Sequence, residues 1–399
     1  MTLTLLLDLD DTLLGNQMDT FIPAYMGALG KYLSEHVHFG EMSQTMMAAT
    51  QKMFANNEFD QTLKEVFDRA FYAPLGLEEA QIKGDIDAFY ERVFPNLRTV
   101  TQARPEAVAM VDEAVRRGYR VGVATNPLFP LTAIRQRLEW AGFRPDAQPF
   151  ALIPSYESFH FAKPNPAYFA EFMARLGWPR GPVLMVGNDY DHDVRGAHAM
   201  GIQTFWIANG MGRPESGPEP VAWGELGQLM EWLENTTIEQ LQPDYSSPGA
   251  IMATLRGVPA SLDEIIAKLP EHQWHHHPAP GEWNLTQICC HLRDVEQEVN
   301  LPRLQKLSQD QHPFILGVDT DAWAEQHDYA SQDGPQALAD FFAARKDSLQ
   351  LLEQLDAHGW QSPARHAIFG PTTLRELVSF IASHDRLHLR QIFATLDIK

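Results

Sequence analysis

The residues Leu5–Leu13, LLLDLDDTL, set a short apolar run directly against a cluster of acids. Leu5, Leu6 and Leu7 predict a buried strand, with Asp8, Asp10, Asp11 and Thr12 following at its carboxyl end. In open α/β sheets that end of a strand is where ligands bind. Paired carboxylates such as Asp8 and Asp10 can hold a magnesium ion, and one of them can attack a phosphoryl group. Acids are also common in solvated turns, so the reading depends on what the later strands carry.

The later strands carry the complementary groups. Tyr119–Ala124, YRVGVA, predicts a second strand and ends in Thr125 and Asn126. Val183–Val186 predicts another and runs into GNDYDHD, which supplies Asn188, Asp189 and Asp193. Lys163 sits in the loop AKPNP, between a short strand expected at 150–153 and a helix expected at 167–176. Helices are also expected at 105–117 and 131–141, and a further strand at 202–207. Strands alternating with helices predict a doubly wound parallel sheet, whose strand ends would bring these groups to one crevice. Between Gly15 and Leu97 the pattern is helical throughout, with stripes such as Phe21, Tyr25, Leu29 and Leu33. That insertion reads as a small helical layer, its Met and aromatic stripes forming core.

Composition limits the partners. The 399 residues are enough for two or three domains, and a formal net charge of -21 disfavours nucleic acid or an anionic membrane as a partner. The only cysteines, Cys289 and Cys290, are adjacent, so no disulfide framework exists and a reducing cytoplasm is expected. No signal peptide or membrane span is visible.

With DxDxT at Asp8–Thr12, Thr125, Lys163 and the acids after Val186 in that order, residues 1 to about 235 resemble the haloacid dehalogenase superfamily. The resemblance is to its phosphatase branch, with a helical cap inserted after the first strand at about 15–97. It implies an aspartyl-phosphate mechanism on a small-molecule phosphate ester. Asp8 would be the nucleophile, Asp10 the general acid and then base, Thr125 the phosphoryl ligand and Lys163 the neutralising cation. Asn126 would contact substrate, and Mg2+ would lie among Asp8, Asp10, Asn188, Asp189 and Asp193. Asn188 departs from the Gly-Asp that often opens the last motif, so Asp189 and Asp193 are expected to supply its charge. Asp10 favours phosphatase over dehalogenase, because an alkoxide leaving group needs a proton.

Residues 236–249, rich in Thr, Ser, Pro and Gly, read as a linker, and beyond them the strand signals vanish. Helical segments at about 250–269 (broken near Gly257 and Pro259), 285–307, 336–355 and 372–396 predict a four-helix bundle over 250–399. His291 lies on the apolar stripe of the second helix, and His384 and His388 lie one turn apart on that of the fourth. Imidazoles at i and i+4 can grip one metal ion, and a third from a facing helix would leave a coordination position open. Asp294, Glu298 and Asp385 are candidates to orient such ligands, whereas His275, His276 and His277 read as a solvated loop.

GEWNLTQICCHLRDVE and LRELVSFIASHDRLHLRQI are similar to the two signature helices of the DinB-like superfamily. That resemblance, over about 245–399, implies a divalent metal (Zn, Ni, Mn or Fe) on His291, His384 and His388. The whole chain is therefore expected to be a magnesium-dependent phosphatase fused to a metal-binding bundle. Two other roles for the bundle stay open: main catalyst, as a thiol transferase or amidohydrolase, or a binding and oligomerisation module through which a homodimer could form.

Overall fold

A computed structural model describes residues 2–144, 150–212, 216–310, 313–320 and 322–398. The chain divides into two compact units, Met1–Phe172 with Pro179–Tyr245, and Met173–Trp178 with Ser246–Lys399. Among the described residues no helix is long and apolar enough to cross a membrane.

In the first unit, β1 (Thr4–Leu7) is buried along its whole length. A two-residue ladder pairs β2 (Leu14–Gly15) with β3 (Gln102–Ala103), antiparallel. The insertion thus leaves and rejoins the sheet layer at neighbouring points. It carries α1 (Met18–Tyr32), α2 (Phe39–Phe54), α3 (Leu63–Phe71) and α4 (Glu79–Arg92). Thr62 and Glu65 close a capping box on α3, satisfying backbone donors that the first turn cannot. Phe21, Tyr25, Met42, Phe89 and Phe94 join the core that also buries Leu5 and Leu7. Tyr25 and Tyr90 keep their hydroxyls satisfied there by bonding each other at 2.9 Å.

After the insertion come α5 (Pro105–Arg116), β4 (Arg120–Val123), α6 (Leu131–Trp140), α7 (Pro166–Arg175) and β5 (Val183–Gly187). Then follow α8 (Gly196–Ala199), β6 (Gln203–Ile207), β7 (Ala222–Gly224) and α9 (Leu229–Glu234). The sheet has the order β4-β1-β5-β6-β7, and every pairing is parallel. β1 therefore lies between β4, whose end at Val123 leads into Thr125, and β5, which ends at Gly187. The strand expected at 150–153 is not a continuous one. Its backbone follows β4 through Ala151 N to Val121 O (2.7 Å) and Val123 N to Leu152 O (2.9 Å), with a single bridge at Phe150. Within the expected linker, Ile238–Leu241 forms a 3-10 turn that buries Leu241.

The second unit contains α10 (Pro248–Ile266), α11 (Leu285–Asp294), α12 (Leu301–Gln309), α13 (Trp323–Gln326), α14 (Gly334–Glu353) and α15 (Leu374–Thr395). A π turn at Val295–Asn300 joins α11 to α12 without a break, giving four long helices. α10 runs through Pro259 rather than breaking there. Strands do occur, contrary to expectation: β8 (Phe314–Ile315), β9 (Pro363–His366) and β10 (Gly370–Thr373) form a small sheet. Each spans at most four residues, too short for an alternating pattern to register. Arg345 is buried in the bundle between Glu296 (2.9 Å) and Asp385 (3.1 Å), so its charge is compensated by two acids.

Candidate active site and metal centre

Asp8 is the first residue after β1, and its N–H donates to Val186 O at 2.9 Å. The neighbouring strand ends then bring their groups alongside it. Lys163 Nζ donates to Asp8 Oδ1 at 2.7 Å and to Asp193 Oδ1 at 2.6 Å, and all three residues are buried. Gly187 makes room for this arrangement, since a Cβ there would overlap the Asp193 carboxylate. Burial pushes the Asp8 carboxyl up to about 7, although Lys163 opposes the shift. Burial also raises Asp193. Burial alone would lower Lys163, but Asp193 and Asp8 outweigh it and hold the ammonium charged. Two buried carboxylates thus share one ammonium, leaving a deficit of positive charge when both are ionised.

Thr125 is buried next to this cluster, its carbonyl held by the Tyr168 hydroxyl at 2.9 Å. Asn126 is spent on the lysine loop: Oδ1 accepts from Lys163 N at 3.0 Å and Nδ2 donates to Lys163 O at 3.3 Å. It positions Lys163 rather than presenting a free amide. Asn188 Oδ1 accepts from the Thr12 hydroxyl at 3.1 Å. Asp189 caps the turn that follows, taking the N–H groups of Asp191 (3.0 Å) and His192 (2.9 Å). Although burial would raise Asp189, the bonds from the His192 ring and from the His192 N–H hold it at about 2. Of the two acids expected to supply the motif's charge, Asp193 is the buried one and Asp189 is half exposed. Asp10 is clamped by Asn16 Nδ2 at 2.7 Å and by the guanidinium of Arg137. Arg137 is itself buried, over the rings of Phe21 and Phe129.

In the second unit His384 Nε2 lies 3.1 Å from both His291 Nε2 and His388 Nε2. Tetrahedral coordination with metal–nitrogen bonds of about 2.0–2.1 Å needs nitrogens a little over 3 Å apart; the two spacings to His384 are close to that, and ligand nitrogens of all three rings lie within 4.8 Å of one another. Burial, and then the neighbouring rings, lower His291 to about 4 and His384 to about 2; burial also lowers His388. The rings are therefore neutral, the form that binds metal. His388 Nδ1 is oriented by Gln391 Oε1 at 2.8 Å, and Trp283 stacks on the same ring. His291 Nδ1 is buried with no partner among the described residues.

Residues 2–201 match the family model described as haloacid dehalogenase-like hydrolase. The chain belongs to that family. Residues 254–392 match the DinB superfamily. The haloacid dehalogenase-like chain is 34% identical over 127 residues to a phosphoserine phosphatase from Thermus thermophilus, covering 32% of this chain and 48% of that one. It is 28% identical over 239 residues to a phosphoglycolate phosphatase from Rhodospirillum rubrum, covering 57% and 88%. The solved structure of YfiT from Bacillus subtilis aligns at 21% identity and a TM-score of 0.34, over 38% of this chain and 87% of that one. The chain spans about half the length of the Thermus relative.

In the haloacid dehalogenase-like unit the structure gathers Asp8, Lys163 and Asp193 into one contact, with Asn126 behind the lysine. It turns Asp189 toward its own turn and Asp10 toward Arg137. Arg137 is a further functional residue that only the fold brings to Asp10, although it shares the stripe of Ala133, Ile134 and Leu138, where an arginine signals a buried partner. Gln391, one turn beyond His388, carried a similar signal. Two of the acids expected to orient the histidines do other work: Asp294 bonds Arg293 (2.7 Å), His327 and Tyr329 (both 2.8 Å), and Asp385 bonds Arg345. The third, Glu298, is exposed, with a carboxylate oxygen within 4.8 Å of ligand atoms of Asp294 and His327.

Proposed function

We propose that the first unit hydrolyses a small phosphate monoester through an aspartyl phosphate on Asp8. The observation that carries this reading is the sharing of one buried ammonium, that of Lys163, by Asp8 at the end of β1 and Asp193 in the turn after β5. Phosphoryl transfer asks mainly for positioning and charge neutralisation, and this cluster provides both. Asp8 attacks phosphorus as the ester P–O bond breaks, and Asp10 gives the leaving oxygen its proton. Asp10 then takes a proton from the water that splits the acyl phosphate, releasing inorganic phosphate. Lys163 fixes Asp8 and offsets charge, and the Thr125 hydroxyl binds phosphoryl oxygens. Asn16 and Arg137 hold Asp10 in place.

The charge deficit around Lys163 and the oxygen-only donors fit magnesium. Asp8 and Asn188 would hold it: among the described residues Asp8 bonds Lys163 through Oδ1 alone and Asn188 Oδ1 accepts only from the Thr12 hydroxyl, whereas both carboxylate oxygens of Asp10, Asp189 and Asp193 already have partners. Bound there, it would neutralise phosphoryl charge. The names of the Thermus and Rhodospirillum relatives support small phosphorylated metabolites as substrates. A panel of such esters, run with wild type and Asp8→Asn, tests the reading. Asp8→Asn is expected to lose turnover by about 10^4-fold or more with the fold intact; equal turnover in both would overturn it.

For the second unit we propose one divalent transition metal on His291, His384 and His388, supported by the 3.1 Å spacings. Zinc, nickel, manganese and iron all accept imidazole. Metal analysis of the full chain after titration and desalting checks the stoichiometry.

A further inference from the structure

A cavity of about 280 Å³ opens in the second unit between the helix Leu285–Gln309 and α15, near the lower end of the roughly 300–1,000 Å³ typical of ligand pockets. Its walls are apolar: Val295, Val299 and Leu304 on one side, Leu377 and Ile381 on the other. A stack of rings completes them, His366 on Phe369 at 4.7 Å and Phe369 on Phe380 at 4.8 Å. Phe369 and Phe380 are about half exposed, so the rim is apolar too.

The polar groups in this lining are specific. None of the lining residues is acidic, in a chain of net charge -21. Arg303 forms no ion pair among the described residues; its Nη2 donates to Leu316 O at 2.8 Å, which fixes the guanidinium. His366 is only 4% exposed. Its Nδ1 accepts the N–H groups of Ile368 (3.2 Å) and Phe369 (3.4 Å), so the proton of the neutral ring sits on Nε2. That Nε2 has no partner among the described residues. Burial and the charge of Arg303 both keep the ring neutral. Asn300, by contrast, already spends its amide on Glu296 at 2.9 Å.

We propose that this pocket binds a small monocarboxylate with an aliphatic or aryl body, its carboxylate taken by Arg303 and the His366 Nε2–H. One guanidinium and one neutral imidazole match a single negative charge rather than the double charge of a phosphate monoester. A purely polar ligand would leave the walls unfilled, and a purely apolar one would leave the His366 Nε2–H without a partner. The pocket also touches His384, but the proposal goes beyond the phosphatase reading and stands without a metal.

Calorimetric titration of the full, chelator-treated chain with butanoate, hexanoate and octanoate tests it, with octanol and octyl phosphate as controls. Affinity is expected to rise about fourfold per added methylene until the cavity is filled. Octanol and octyl phosphate are expected to bind at least about tenfold more weakly than octanoate. Arg303→Gln should cost octanoate about tenfold and leave octanol unchanged. Phe380→Gln, at a half-exposed rim position, should weaken octanoate and octanol alike. Absence of saturable octanoate binding, equal affinity for octanoate and octanol, or indifference to Arg303→Gln in a folded protein would overturn the proposal. Loss of metal binding or of phosphatase activity would not produce any of those results, so the readings fail separately.

Discussion

The two units bury clusters of titratable groups and keep them stable by opposite means. Around Lys163 the solution is charge on charge, with one ammonium between Asp8 and Asp193. Around His384 it is neutrality, with three imidazoles close together and their basicity depressed by burial. The difference separates what each site can attract. A charged cluster short of one cation is suited to a hard divalent ion and a phosphoryl group, whereas neutral nitrogen donors suit a softer metal. It also predicts different consequences when a member is removed.

Lys163→Met should produce the largest stability effect. It leaves Asp8 and Asp193 buried without their cation, and breaking such a pair typically costs about 3–5 kcal/mol. Urea unfolding at neutral pH measures the loss, and Lys163→Met combined with Asp8→Asn should regain part of it. An unchanged midpoint in Lys163→Met would remove charge compensation from the account. His384→Ala is the contrasting case. Removing one neutral ring should cut metal affinity by at least about 100-fold while leaving the unfolding free energy of the metal-free protein within about 1 kcal/mol of wild type. A collapse of the fold there would mean that the rings are structural. Gln391→Ala should act more mildly, lowering metal affinity by about tenfold through loss of the bond that orients His388.

Acid should give the smallest effect that still tells the sites apart. His291 is held at about 4 in the folded chain against an ordinary value of 6.5. Between those values the unfolded chain binds more protons, so stability must fall as pH drops below about 6.5. The fall continues toward about pH 4. Urea midpoints of the metal-free protein at pH 7.5 and 5.5 should therefore differ more in wild type than in His291→Ala. Equal differences would contradict the neutral triad.

Much of this was legible from sequence because periodicity and strand-end chemistry are local. The run Leu5–Leu7 followed by Asp8 placed both a strand and its ligand-binding end, and the spacing of His384 and His388 placed two rings on one helical face. What escaped were relationships that only tertiary packing creates. Asp189 and Asp193 are equally acidic on paper, but the turn after β5 consumes one as a cap and buries the other against Lys163. Arg137 lies more than a hundred residues from Asp10, so no spacing rule connects them. The strands of the second unit escape a pattern reading because Pro363–His366 and Gly370–Thr373 are too short to show one, and the backbone at 150–153 has a strand's apolar pattern but only a single bridge.

The central claim is that Asp8 carries the phosphoryl group, and rapid acid quench with a hydrolysed ester followed by peptide mass spectrometry tests it most directly. A phosphoryl adduct on the peptide containing Asp8 is the predicted result, absent in Asp8→Asn and accumulating in Asp10→Asn, where water lacks its base. An adduct on another residue, or undiminished turnover in Asp8→Asn, would contradict the account.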